Sequence, residues 1–219
     1  MSIVPPMKKM PSEHTVEVLA SHYLLHHINR SRCWLYCPTT NEELKRGYDV
    51  GTQGFKSILI QYKGLVYASK TSASIDIDQT QQSTLLSNFP KLNSPYAFYG
   101  FCAHRSYEEI SKGYNSISSP VFFGSCVFVD VHSLPAHTSR LRYSFKHDEV
   151  FPVVSGKAGA SIPHVTGPAL ACAITACHIG DRHLEQGAVE SRRNPARDRK
   201  VSEESERLFS LSVLRVPIG

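Results

Sequence analysis

The sequence predicts a mixed α/β fold: a central mixed sheet of four to five strands flanked by helices. Three observations predict it. Residues 55–63, FKSILIQYK, are rich in β-branched and aromatic residues and bounded by Gly54 and Gly64, the strongest strand signal in the chain. YAFYGFCA (96–103) and PVFFGSCVFVDV (120–131) are apolar runs that read as buried strands. Between these runs lie polar segments with helix-capping residues at their starts, so helices and strands interleave as a layered α/β domain requires.

The elements follow in order. Ser12 is placed to cap a helix over EHTVEVLASHYLLHHIN, in which Val16, Leu19, Ala20, Tyr23, Leu24 and Ile28 recur at helical spacing. CWLYC, a turn at Pro38-Thr39-Thr40 and the polar NEELKR come next. GYDVG (47–51) reads as a short strand that can pair with 55–63 as a hairpin. Asp78 caps a helix over QTQQSTLLSNF, Asn93-Ser94-Pro95 turns the chain, and Ser106 caps YEEISKGY. Past Pro135 the patterning weakens. Residues 152–168 are rich in Gly, Pro, Ser and Ala; ALACAITAC reads as a short buried helix. ESRRNPARDRKVSEESER mixes charges with no apolar face, with a helix conceivable over SEESERLFSL. The expected organisation is a flexible N-terminus (1–11), a core domain (12–135) and a partly irregular or disordered C-terminal extension (136–219).

Composition narrows the class. Of 219 residues, 41% are hydrophobic and 20% charged, which excludes wholesale disorder and collagen-like structure. Twenty-four Lys and Arg against 19 Asp and Glu leave a formal charge of +5, which permits a nucleic-acid partner without demanding one. Six cysteines are too sparse for a disulfide-built scaffold. No apolar run reaches the roughly 18 residues of a membrane span, and Lys8-Lys9 is followed by no apolar core of a signal peptide. The expectation is a soluble, cytoplasmic protein with no membrane partner.

One constellation points to chemistry. Alternation along 57–63 sets Ile58, Ile60 and Tyr62 on one face and Ser57, Leu59, Gln61 and Lys63 on the other. If GYDVG pairs with this strand, Asp49, Gln61 and Lys63 converge. A carboxylate and an amide oxygen suit a hard cation such as Mg²⁺, and the ammonium suits a phosphate or an attacking water. A lysine in a strong strand fits equally a solvent-facing place on a half-exposed sheet. Glu13 and Glu17 lie at the edge of the apolar arc of the first helix. Either is a margin residue or a further site carboxylate; Glu43 is a rival, with a solvated turn as its other reading. Cys33 and Cys37 lack a second matching pair for zinc, and Cys172, Cys177, His178 and His183 read as small-residue core rather than ligands. His22 and His26 stand four apart, but no Glu follows the first, so the metalloprotease pattern fails. Phosphate-loop, dinucleotide-fingerprint and nucleophile-elbow motifs are absent.

Asp49 followed by Gln61-Tyr62-Lys63, "YDVG…LIQYKG", resembles the core of the PD-(D/E)XK nuclease superfamily. In its Gln form, D…QxK, it is similar to Mrr-type restriction endonucleases, in which "IDV…IQxK" recurs. The resemblance covers residues 12–132. Tyr48 stands where the PD dipeptide has its Pro, and Gln61 replaces an acid. The resemblance implies a restriction-endonuclease-like core and a metal-dependent DNA endonuclease hydrolysing phosphodiesters. It implies Mg²⁺ or Mn²⁺ held by Asp49, Gln61 and the main-chain carbonyl of Tyr62, with Lys63 polarising the water and Glu17 or Glu13 assisting. Lys45, Arg46, Lys56, Lys70 and Arg105 would meet the DNA backbone. The implied setting is restriction, anti-phage defence or repair in a prokaryote, as a homodimer or with a specificity partner. The alternative is a disabled nuclease-fold module that binds DNA or serves assembly.

Overall fold

The computed structural model describes residues 10–28, 34–38, 40–53, 57–92, 95–113, 121–176, 178 and 180. Helix α1 (Glu13–Ile28) starts at Ser12, whose Oγ accepts the Thr15 N–H at 3.2 Å. Strand β1 (Trp34–Tyr36), helix α2 (Thr40–Arg46) and strands β2 (Val50–Gln53) and β3 (Leu59–Tyr62) follow. Then come β4 (Tyr67–Ala68), β5 (Ser72–Asp76) and α3 (Gln79–Asn88), which Asp78 caps by accepting the Thr80 and Gln81 N–H groups at 2.7 and 3.1 Å. Strand β6 (Ala97–Cys102) is buried throughout. Ser106 caps α4 (Tyr107–Gly113), its Oγ accepting the Glu109 N–H at 3.3 Å. The chain continues through α5 (Val121–Gly124), β7 (Cys126–Asp130), β8 (Thr138–Ser144), β9 (Glu149–Val154), β10 (Lys157–Ala158), β11 (Val165–Thr166) and α6 (Gly167–Thr175).

The fold is mixed α/β with two sheets. The first has six strands in the order β1-β2-β3-β6-β7-β11. It is mixed, because β3 and β6 run parallel and every other pair is antiparallel. The second has five antiparallel strands in the order β10-β9-β8-β5-β4. The first sheet is wider than expected, and the second was not anticipated. Residues beyond 135, expected as a partly irregular or disordered extension with a short buried helix over ALACAITAC, supply β8 to β11 as well as that helix, α6; β8 pairs with β5, and α6 packs on α1. A bulge between Thr138 and Arg140 interrupts β8, and β10 and β11 have only two residues each, so their alternation is hard to see in the sequence.

PVFFGSCVFVDV also differs from its expected form, because its first part is the helical turn α5. Consecutive residues of a strand point to opposite faces. The helical turn instead lets Phe122 and Phe123 both pack near Tyr23 of α1, with ring centroids 6.0 and 6.2 Å away.

One face of the six-stranded sheet holds the core. Ile60, Tyr62, Phe98, Cys102, Cys126 and Phe128 meet Val16, Ala20, Tyr23 and Leu24 of α1 and Leu170 and Ile174 of α6. Burying side chains of this size stabilises by about 1.5–3 kcal/mol each. Gly100 faces the same layer. A Cβ there would stand 2.9 Å from Phe128 and 3.0 Å from Ile60, so the bare backbone lets large neighbours close over β6. On the opposite face, Phe101 meets Tyr143 of β8 edge to face at 6.3 Å, which joins the two sheets.

Candidate functional site

The site grows from the junction of α2 and β2. Gly47 ends α2 with its N–H donating to Glu43 O at 2.7 Å and its φ at 85°. A Cβ there would lie 3.1 Å from Leu85 N and 3.2 Å from Gln81 O, so only glycine lets this turn press against α3. Two residues on, the Asp49 N–H donates to Ile60 O at 3.0 Å, and the Val50↔Ile60 register sets Asp49 beside Gln61. The Asp49 carboxylate curls back to accept the Tyr62 N–H at 2.6 Å.

β3 delivers the next two groups. Alternation sends Tyr62 into the core, where Ser21 donates to its hydroxyl at 3.3 Å, and sends Gln61 and Lys63 to the other face. There both meet Gln81 of α3. Gln61 Nε2 donates to Gln81 Oε1 at 2.9 Å, and Lys63 Nζ donates to the same oxygen at 3.0 Å. The N–H of Lys63 continues the parallel ladder to Gly100 O at 2.8 Å, and the next N–H, of Gly64, donates to Glu13 Oε2 at 3.2 Å. A Cβ on Gly64 would lie 3.3 Å from Glu13 N, so the start of α1 sits directly on the end of β3.

These bonds fix which way the amides point. An ammonium only donates, so Gln81 must turn its oxygen to Lys63. That oxygen then requires the NH₂ of Gln61, and Gln61 Oε1 is left pointing elsewhere. It is buried with no hydrogen-bond partner, in a residue only 1% exposed. A buried carbonyl oxygen without a donor costs about 1–3 kcal/mol, which a water or an ion can offset.

The charges are coupled to the same geometry. Asp49 is 8% exposed, and its carboxyl is pushed up to about 8. Burial is the main cause; the Tyr62 N–H and the Lys63 ammonium oppose it, while Glu43 and Glu13 reinforce it. Glu13 and Glu43 are therefore the acids in electrostatic reach of Asp49. Glu17 pairs instead with His14 Nδ1 at 3.3 Å, and its charge raises the Tyr62 phenol and, with Asp49, the Cys37 thiol, for which burial is the larger cause in each case.

Asp49, Gln61 and Lys63 thus come together, with Glu13 from α1 at the same strand end. Gln81 is the member that sequence reasoning missed. Its signal was local: the helix capped by Asp78 begins two residues before it, so Gln81 lies in the first turn. The predicted DNA contacts are scattered. Lys45 and Arg46 end α2, where Lys45 O accepts from Asn88 Nδ2 at 2.8 Å and Arg46 donates to the Tyr48 hydroxyl at 3.3 Å. Lys70 is exposed in the β4–β5 turn of the second sheet. Arg105 follows β6 and is engaged by Glu109, through both its guanidinium and its main-chain N–H, the latter at 2.7 Å. Lys56, Cys33, Cys177 and His183 lie outside the described residues.

The oxygen donors fit a hard cation in kind: the Asp49 carboxylate, the orphaned Gln61 Oε1 and a main-chain carbonyl. Among the described residues, no group of three or more His, Cys, Asp or Glu is placed to hold a metal. Asp49 would thus be the one anionic ligand. Among the described residues, no helix is long and apolar enough to cross a membrane. Compared with protein-family models, curated proteins and solved structures, the chain matches none.

Proposed function

We propose that the chain is a metal-dependent DNA endonuclease with a restriction-endonuclease-like core of the Mrr-like PD-(D/E)XK type. The observation that carries this reading is the convergence of Asp49, just before β2, with Gln61 and Lys63 at the end of β3, where the buried Gln61 Oε1 has no hydrogen-bond partner. Asp49, Gln61 Oε1 and the Tyr62 carbonyl would hold Mg²⁺ or Mn²⁺. Such an ion, when bound, supplies charge neutralisation for the phosphate and acidifies water. Lys63 orients the attacking water and stabilises negative charge developing on the phosphate. Gln81 holds that ammonium in place. Glu13, nearer than Glu17, adds negative potential beside the cation position. Lys45, Arg46, Lys56 and Lys70 offer charges to the DNA backbone, and Arg105 does so only by leaving Glu109. The setting is cytoplasmic restriction, defence or repair, as a homodimer or with a partner that supplies specificity.

One observation favours a second reading, a disabled nuclease-fold module that binds DNA. The site offers a single carboxylate, and burial keeps it protonated up to a pH of about 8. Plasmid cleavage in Mg²⁺ or Mn²⁺ decides between them. On the enzyme reading, Asp49→Ala and Lys63→Ala abolish cleavage and keep DNA binding, Gln61→Ala weakens metal binding more than DNA binding, and Gln61→Glu retains activity with tighter metal binding. Cleavage surviving both Asp49→Ala and Lys63→Ala overturns the site. DNA binding without cleavage in every variant supports the disabled module.

A further inference from the structure

A second surface lies on the outward face of the five-stranded sheet, and its composition is unlike that of the Asp49 site. The registers Tyr67↔Ser74, Ser74↔Arg142 and Arg142↔Phe151 set these four residues in one row across β4, β5, β8 and β9. Directly opposed residues of antiparallel strands share a face, so all four side chains point the same way. The inward neighbours Ala73, Leu141 and Val150 are buried, which confirms that the row faces outward. In the adjoining row, Asp76↔Arg140 and Arg140↔Val153 extend the same face.

Tyr67, Ser74 and Arg142 of this row, with Asp76, Arg140 and Val153, line a groove of about 770 Å³, and Phe151 shares the face outside it. Ser74 is the small residue at its floor and is itself buried. Tyr67 stands beside it 53% exposed, an aromatic ring left open to solvent on a short edge strand. Arg140 is held by Asp76 through an Nε–Oδ1 contact of 2.7 Å. Arg142 is exposed and makes no hydrogen bond or ion pair among the described residues; its cross-strand neighbours are a serine and a phenylalanine. The groove therefore combines an unpaired planar cation and an open aromatic ring, with a serine hydroxyl between them.

We propose that this face binds single-stranded nucleic acid, with a base against Tyr67 and a backbone phosphate on Arg142. Charge complementarity names the occupant, because Arg142 has no acid opposite it in its own row. Geometry favours a strand over a free nucleotide. Four strands about 4.8 Å apart span roughly 14 Å, room for two or three nucleotides. A single unpaired arginine suits one phosphodiester better than the clustered charge of a triphosphate. Base stacking on aromatic rings is indifferent to sequence, so the expected preference is for unpaired strands, not for a motif. This inference does not rest on the nuclease reading, since none of its residues belongs to the Asp49 site.

The test is fluorescence anisotropy of a labelled 15-nucleotide oligo-dT against the full chain in EDTA, where cleavage plays no part. Wild type should bind it more tightly than a duplex of equal length. Arg142→Ala should weaken binding about tenfold and lower the slope of log affinity against log salt by about 1. Tyr67→Ala should weaken it by a similar factor, and Tyr67→Phe should restore it with an unchanged salt slope. Both positions are on the surface, and thermal melting of each variant checks that the fold is kept. Wild-type affinity in Arg142→Ala and Tyr67→Ala overturns the proposal, as does an equal loss of duplex affinity in both variants. Displacement of the oligonucleotide by equimolar dTTP would make the groove a nucleotide pocket and equally overturn it.

Discussion

Gln81 Oε1 accepts two donors at once, and that sharing organises the site. Gln81→Ala leaves Lys63 without its acceptor and lets the Gln61 amide rotate. The expected cost is about 1–2 kcal/mol in urea unfolding, with at least a tenfold loss of any plasmid cleavage. Gln81→Glu keeps an oxygen for both donors and should lose little stability. Asp49 gives a pH signature. Its carboxyl titrates at about 8 in the folded chain and near 4 when unfolded, so between those values the native state holds the extra proton. Stability then falls as pH rises from about 4 to about 8. Asp49→Asn should flatten this slope and be the more stable protein at pH 8, by about 2 kcal/mol or more, while differing little at pH 4. Urea midpoints at the two pH values measure it. The sequence showed Asp49, Gln61 and Lys63 because strand alternation is strict over seven residues. It did not show Gln81, because a helix on another layer is brought there by tertiary packing, which no local period encodes.

The helices were legible where a side chain caps them. Ser12, Asp78 and Ser106 each accept the expected backbone N–H, and α1, α3 and α4 follow. The strands of the second sheet were not, since β5 has only Ala73 and Ile75 and β8 only Leu141 and Tyr143 as apolar residues, too few among serines and arginines to mark a strand. The helical turn α5 escaped notice because its aromatic residues also suit a strand. Two substitutions probe how α3 is seated. Asp78→Ala removes both cap bonds and should cost about 1 kcal/mol in chemical unfolding. Gly47→Ala places a methyl against Leu85 and Gln81 backbone at a φ of 85°. It should cost about 1–2 kcal/mol and, by shifting α3, reduce Lys63-dependent activity more than Asp78→Ala does.

Across residues 10–176 the two sheets are bound by pairing and packing, not by succession in the chain. Phe101, buried on the first sheet, meets Tyr143 on the second. Phe101→Ala should destabilise by about 3–5 kcal/mol and keep a single calorimetric transition, because neither sheet closes its own face without the other. The connectivity has a consequence for synthesis. The chain leaves β3, makes β4, β5 and α3, and only then returns with β6 to lie along β3; β5 in turn waits for β8. A nascent chain halted after α3 carries Glu13, Asp49, Gln61, Lys63 and Gln81, yet lacks the Gly100 carbonyl on which the Lys63 amide closes and the strand that backs β5. Such pairings are distant along the chain, which favours slow folding. Translation therefore exposes Asp49, Gln61 and Lys63 early and completes their support late, only after β8 has left the ribosome.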